Sequence, residues 1–426
     1  MSRSLRLVAL LLVGLIAFAA GACGGSGGGS APTQVTSAPA GASATSGQLK
    51  SLYGKLGDAV YHIEVPDPWN GELVMYAHGF FGFGDAQLAL EPPEALRKAL
   101  ISEGFAWAGS GFSEYGYKPA LGANDTLALK KYFEQTIGKP MRTYLAGTSM
   151  GGNVVAFSLE HFPGEYDGAL AMCGALGGEE EIDYLLSWAA AAEFTSGVRL
   201  PIGQGADKIQ STFFDQMSPA LGNVDSPTAK GKQFLDIVRN LTGGPRPFFL
   251  EGYKDQYQAT FSLLLSDPDR TSIAGRAAST EGVKYHISDG LGLSDDAINS
   301  GIRRFVADPQ ARDATAHPDA VPTTGKISAP LLTLHGTGDL YVPITQEVAY
   351  RQKADAAGKG DLLVQRIIRS GGHCRFSDKE LTAGFNDLVS WVRDGKKPKG
   401  DDLTASLADA GKQFTDTLRA GDPGTK

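Results

Sequence analysis

The stretch Leu145-Ala146-Gly147-Thr148-Ser149-Met150-Gly151-Gly152 sets one serine between glycines, directly after a β-prone run and directly before a helical one. It has the form Gly-x-Ser-x-Gly. A strand that reverses sharply into a helix forces the residue at the apex into a strained backbone conformation, and glycines on either side let the chain close without side-chain clashes. The Ser149 hydroxyl is then expected to stand clear of the backbone at the positive end of the new helix, close to the Met150 amide. That is where a nucleophile and an oxyanion donor are both useful. Five residues with three fixed positions are a weak signal by themselves, so the surroundings decide what the turn is for.

The surroundings supply a strand over 142–146 and a helix over 153–160 that Pro163 stops. A second strand, over 71–77, runs into His78-Gly79-Phe80-Phe81-Gly82 upstream of the serine. A third, over 330–334, runs into His335-Gly336-Thr337-Gly338-Asp339. A fourth, over 362–368, leads to Gly371-Gly372-His373-Cys374. Each candidate residue therefore follows a strand, so that Ser149, Asp339 and His373 project from one edge of a parallel sheet.

With these motifs in the chain order serine, acid, histidine, the sequence resembles the α/β-hydrolase superfamily over residues 58–175 and 327–395. The resemblance implies an α/β fold, a mostly parallel sheet flanked by helices, and a serine hydrolase. Ser149 is a poor nucleophile at its own pKa, so a neutral imidazole, His373, must take its proton as it attacks a carbonyl carbon. Asp339 would hold that imidazole in the correct tautomer and stabilise the imidazolium. The backbone amides of Met150 and Phe80 are the expected oxyanion hole. Glu179, Glu180 and Glu181 rival Asp339, since a few hydrolases carry the acid one strand earlier; a triple Glu also suits the amino end of a helix.

Composition adds a compartment. The chain has 426 residues, 42% hydrophobic and 20% charged, enough for one large core and a second layer. A net charge of −8 without a basic run argues against nucleic acid or anionic lipid as a partner. Arg3 and Arg6 precede an apolar run over 7–19 and Ala20-Gly21-Ala22-Cys23, which is expected to be an export signal over 1–22. Two endings compete: ordinary cleavage after Ala22, or lipidation of Cys23 as in bacterial lipoproteins, from which Ala20 departs in not being the usual leucine. Residues 23–47, rich in Gly, Ser, Ala, Thr and Pro, cannot bury enough apolar surface to fold and would tether a membrane anchor to the enzyme. An exported, lipid-anchored protein is the favoured expectation, and a secreted one the alternative.

Only three cysteines are present. If Cys23 carries lipid, Cys173 and Cys374 remain as a pair in a disulfide-permissive setting. Cys173 ends a strand over 167–172 and Cys374 follows the expected base, points that approach each other in an α/β-hydrolase sheet. Tannase and feruloyl esterase families similarly place a cysteine beside the catalytic histidine, but pair it with one next to the nucleophile, where this chain has Thr148. Two buried free thiols are the alternative.

Residues 176–326 interrupt the hydrolase pattern at the position where the superfamily carries a cap. Helices are expected over 182–194, 206–217, 231–241, 253–266 and 295–305. Trp188, Phe213, Phe214, Phe248, Phe249 and Tyr257 are candidates for apolar substrate contacts or for packing the cap. Residues 48–175 and 327–426 make the core in two parts, the second ending in a polar tail. His78 and His335 are expected to shape their turns. His62, His161, His286 and His317 are placed on helices or loops without a motif. No ligand spacing points to a metal, and no cofactor is expected. Together these features point to hydrolysis of carboxylic esters, with a serine peptidase as the runner-up and a binding lipoprotein on a degenerate scaffold as the reading from another class. Dehalogenase and epoxide hydrolase chemistry needs a carboxylate at the apex, where this chain has Ser149.

Overall fold

The structure, a computed structural model, describes residues 49–82, 88, 90–263, 277–313, 315, 318–320, 322–404 and 406–416. The expected signal, Cys23, the tether and His317 lie outside them.

Among the described residues eight strands form one sheet: β1 (Lys50–Leu56), β2 (Ala59–Val65), β3 (Glu72–Ala77), β4 (Ala106–Ser110), β5 (Arg142–Thr148), β6 (Gly168–Met172), β7 (Leu331–Gly336) and β8 (Leu363–Ile368). Their order is β1-β2-β4-β3-β5-β6-β7-β8. β1 and β2 pair antiparallel and β2 runs antiparallel to β4, while every pairing from β4 to β8 is parallel. This is the α/β-hydrolase fold. β3 and β5 to β8 are buried almost throughout, which is why they read in sequence as short apolar runs without alternation.

Eleven α-helices are described: α1 (Glu94–Ser102), α2 (Pro119–Thr136), α3 (Met150–His161), α4 (Glu179–Ser196), α5 (Ala206–Thr212), α6 (Ser218–Leu221), α7 (Ala229–Leu241), α8 (Phe249–Leu263), α9 (Asp295–Gly301), α10 (Thr345–Ala356) and α11 (Asp378–Asp394). Leu96 and Leu100 of α1 join Phe385 and Leu388 of α11 on one face of the sheet. Leu129 and Phe133 of α2, Val155 and Leu159 of α3, and Tyr350 of α10 cover the other. The amino end of α11 is fixed by a capping box, in which Ser377 Oγ accepts from the Glu380 amide and the Glu380 carboxylate accepts from the Ser377 amide.

Among its described residues the inserted segment is mostly helical, with helix bounds that differ from those expected: α8 begins at Phe249 and not at 253. The helix expected over 206–217 runs on to Leu221 with a π-helical turn inside it: α5 passes into that turn over Phe213–Met217 and on into α6. The last cap helix stops at Gly301 instead of continuing to 305. Trp188, fully buried, packs edge-on against Phe234 at 5.4 Å and lies 6.0 Å from Tyr253 and from Phe261. Phe213, Phe249 and Tyr257 are buried in the same cluster, whereas Phe214 is exposed. The cap therefore has an aromatic core of its own.

The polar tail runs along β8, the last strand of the sheet. The Asp401 amide donates to the Gln365 carbonyl at 2.7 Å, the Ile367 amide to Asp401 Oδ2 at 2.8 Å, and the Arg369 amide to Thr415 Oγ1 at 2.8 Å. A sheet edge that would otherwise present unpaired backbone groups is thereby covered.

Candidate active site

Ser149 sits between β5 and α3 with φ +56°, a left-handed conformation that costs a side-chain-bearing residue about 1–3 kcal/mol. The two framing glycines are there because the turn leaves no room for a β-carbon. A methyl group at Gly147 would lie 2.2 Å from the Gly151 carbonyl oxygen, and one at Gly151 would lie 2.1 Å from that of Ala77. Ser149 is anchored by its amide to the Met172 carbonyl at 3.0 Å, and its own carbonyl accepts from the Gly152 and Ala175 amides. The turn is thus locked between β3 and β6.

The loop after β3 crosses the serine closely: a β-carbon at Gly79 would come within 3.0 Å of Ser149 Cβ. His78 shapes this loop. Its ring stacks on Phe112 with centroids 4.0 Å apart, and Nδ1 bonds to the Gly79 carbonyl at 2.6 Å. Burial pushes its pKa down to about 4, so the ring is a neutral structural group. Phe80 follows directly, packed against the cap core. Met150 is the first residue of α3, where a helix leaves amides without intrahelical acceptors. Met150 thus follows Ser149 directly at the helix start, and the loop that carries Phe80 passes the serine at Gly79.

Asp339 is fully buried in the turn after β7, and its Oδ2 meets His373 Nδ1 at 2.6 Å. Its Oδ1 accepts from the Tyr341 and Val342 amides, each at 3.1 Å. These bonds leave the carboxylate one direction in which to point. With Nδ1 donating to Asp339, His373 Nε2 is left as the acceptor that a general base requires. His335 braces the same turn: Nε2 bonds to the Val342 carbonyl at 2.8 Å, while Nδ1 faces Glu347 Oε1 at 3.3 Å. Burial alone would lower the His335 pKa, but the Glu347 carboxylate outweighs it and raises it.

Cys173 and Cys374 are joined in a disulfide, with Cα atoms 5.2 Å apart and a sequence separation of 201. Cys173 follows the residue that holds the Ser149 amide, and Cys374 follows His373, so the bridge ties the base loop to the strand beside the nucleophile. Both cysteines and His373 place side-chain atoms within 4.8 Å of one another. No hydrogen bond between Ser149 Oγ and His373 is present among the described residues; such contacts commonly tighten only when substrate is bound.

The rival acids go elsewhere. Glu179 pairs with Arg312 at 3.1 Å and Glu180 with Lys353 at 3.0 Å, both at the amino end of α4. Glu181 is almost wholly buried, and its Oε2 has no hydrogen-bond partner. Burial, with the Asp339 charge adding, holds its carboxyl well above the usual range, and so neutral. Among the remaining histidines, His161 ends α3 and His286 pairs with Asp295 at 2.7 Å. His62 is a correction: it lies in β2 and not on a helix or loop, buried between Tyr53 and Trp107, because Tyr61-His62-Ile63-Glu64-Val65 alternates as a strand that pairs with β1 and β4.

No family model matches the chain. An o-phthalyl amidase from Xanthobacter agilis is 23% identical over 421 residues, covering 84% of this chain and 90% of that protein. Feruloyl esterase B from Aspergillus oryzae aligns with a TM-score of 0.47 at 14% identity, covering 85% of this chain and 84% of that one. Acylaminoacyl peptidase from Pyrococcus horikoshii aligns with a TM-score of 0.40 at 11% identity, covering 85% of this chain and 44% of that one.

Proposed function

We propose that the protein is a serine hydrolase that cleaves carboxylic esters through an acyl-enzyme. Ser149 is the nucleophile, His373 the general base and then acid, Asp339 the orienting acid, and the Met150 and Phe80 amides the oxyanion hole. The observation that carries this is the 2.6 Å contact between His373 Nδ1 and the buried Asp339, set beside a serine held at φ +56°. In the first half-reaction Ser149 Oγ attacks the carbonyl carbon as its proton passes to His373 Nε2. The C–O bond then breaks, the alcohol leaving with that proton. In the second half-reaction water gives a proton to Nε2 and attacks the acyl-enzyme, and the acid departs as Ser149 recovers its proton.

A second reading, amide cleavage, is favoured by the relative described as an o-phthalyl amidase. The same residues serve, with an amine as leaving group. A chromogenic ester series of rising acyl length, run beside an o-phthalyl amide and aminoacyl and peptidyl anilides, separates the readings. Ester turnover with kcat/KM at least tenfold above every amide supports the first; preference for the o-phthalyl amide supports the second. Export and lipidation of Cys23 belong to this proposal and rest on the sequence of residues 1–47.

A further inference from the structure

The turn that carries Asp339 is held from two sides. The core supplies acceptors for its early amides: Thr337 donates to the Ile368 carbonyl and Gly338 to that of Ser370, both at 2.8 Å. The rest of the turn is held by the cap. Gln256 in α8, with no exposed surface, accepts at Oε1 from the Leu340 amide at 2.8 Å and the Tyr341 amide at 2.7 Å, and donates from Nε2 to the Gly338 carbonyl at 3.2 Å. Arg246, which precedes α8, donates from Nε to the Thr337 carbonyl at 2.7 Å. Tyr184 in α4 donates its hydroxyl to the Leu340 carbonyl at 2.7 Å.

Backbone contact reinforces these bonds. A β-carbon at Gly252, one turn before Gln256, would lie 1.7 Å from the Gly338 carbonyl oxygen, and one at Gly338 would lie 2.4 Å from that of Phe248. The cap therefore meets the acid turn with no side chain between them at this point. Arg246 is buried, and its charge acts on Asp339 from the cap side.

We propose that Gln256 is a positioning residue for Asp339: by holding three backbone groups of residues 338–341, the cap aims the carboxylate at His373. This rests on the triad proposed above. The physical reason is that Asp339 Oδ1 is steered by the Tyr341 amide, whose hydrogen Gln256 Oε1 also accepts. An apolar side chain at 256 leaves the Leu340 and Tyr341 amides and the Gly338 carbonyl in a dry site without their cap partner, and the turn must shift to find others. The cap is then part of the catalytic framework and not only a roof over the substrate.

The test is a double-mutant cycle on the full chain, reading hydrolysis of 4-nitrophenyl acetate and the rate of Ser149 labelling by a fluorophosphonate. Gln256→Leu should lower kcat by about 10- to 100-fold, the loss expected of a catalytic group displaced by about 1 Å, while KM stays within about threefold. In an Asp339→Asn background, where there is no carboxylate to aim, the same substitution should cost less than about twofold. Tyr184→Phe, which removes one hydroxyl and keeps the shape, should follow the same pattern with a smaller loss, and it serves if Gln256→Leu does not fold. Equal losses in the two backgrounds, or an unchanged kcat in the single variants, would overturn the positioning role and leave the triad standing. Full activity in Asp339→Asn alone would instead overturn the triad, and the positioning role with it.

Discussion

Non-glycine residues at positive φ gather around the candidate site. Ser149, Cys173 and Cys374 lie in it, Phe112 stacks on the loop that crosses the serine, and the Phe248 carbonyl presses against the acid turn. Each is held there by its neighbours, and strain of this kind concentrates where geometry matters for chemistry. Glu181 is the other unusual residue, a buried acid whose carboxyl burial holds well above the usual range. Because its folded pKa is raised, the native state keeps a proton that the unfolded chain releases above about pH 4.3, so stability from this group is full below that pH and falls as pH rises toward the folded value. Glutamine keeps the shape without the titration. Glu181→Gln should therefore gain stability relative to the wild type as pH rises from about 5 to 8, by up to about 1.4 kcal/mol per pH unit. Paired thermal melts across that range check this. A difference that does not change with pH would mean that the carboxyl is solvated.

At the scale of elements, what the sequence made legible was whatever the backbone or the chemistry constrains tightly. The strands before Ser149, Asp339 and His373 are short, buried and followed within a few residues by glycines, and they stand where expected with small shifts at their ends. β1 and β2 carry a signal of another kind, the alternation Tyr61-His62-Ile63-Glu64-Val65 after a Gly57-Asp58 turn, which marks a hairpin and not the apolar runs of the parallel strands. β4 was missed because Ala106-Trp107-Ala108-Gly109-Ser110 is rich in small residues of low β-propensity, and it is a strand because β2 and β3 flank it. Gln256, Arg246 and Tyr184 carry no motif: a glutamine in a helix reads as a solvated face until the turn it meets is known. The disulfide belongs to this scale too, since it fastens the loop after β8 to the end of β6. Cys374→Ala should remove about 2–4 kcal/mol of stability. It should also lower kcat by more than it raises KM, because the glycines at 371 and 372 leave His373 free to wander. Melting temperature and steady-state kinetics measure the two effects, and an unchanged kcat would show that the loop holds its shape without the bridge.

At the largest scale the described residues join a hydrolase sheet to a helical cap that holds the acid turn. On the proposed export, the wild type should partition with membranes and Cys23→Ala should release a soluble enzyme of unchanged kcat, as fractionation followed by ester assay would register. A wild type found wholly soluble, with an unmodified amino terminus after Ala22, would favour ordinary cleavage. The central claim, that the elbow, the base loop and the capped acid turn make one nucleophilic site at Ser149, is tested most directly by mass spectrometry of the full chain after fluorophosphonate treatment. A single adduct on the peptide containing Ser149 is predicted, absent in Ser149→Ala and slowed at least a hundredfold in His373→Ala. An adduct on a different serine, or hydrolysis that persists undiminished in Ser149→Ala, would contradict it.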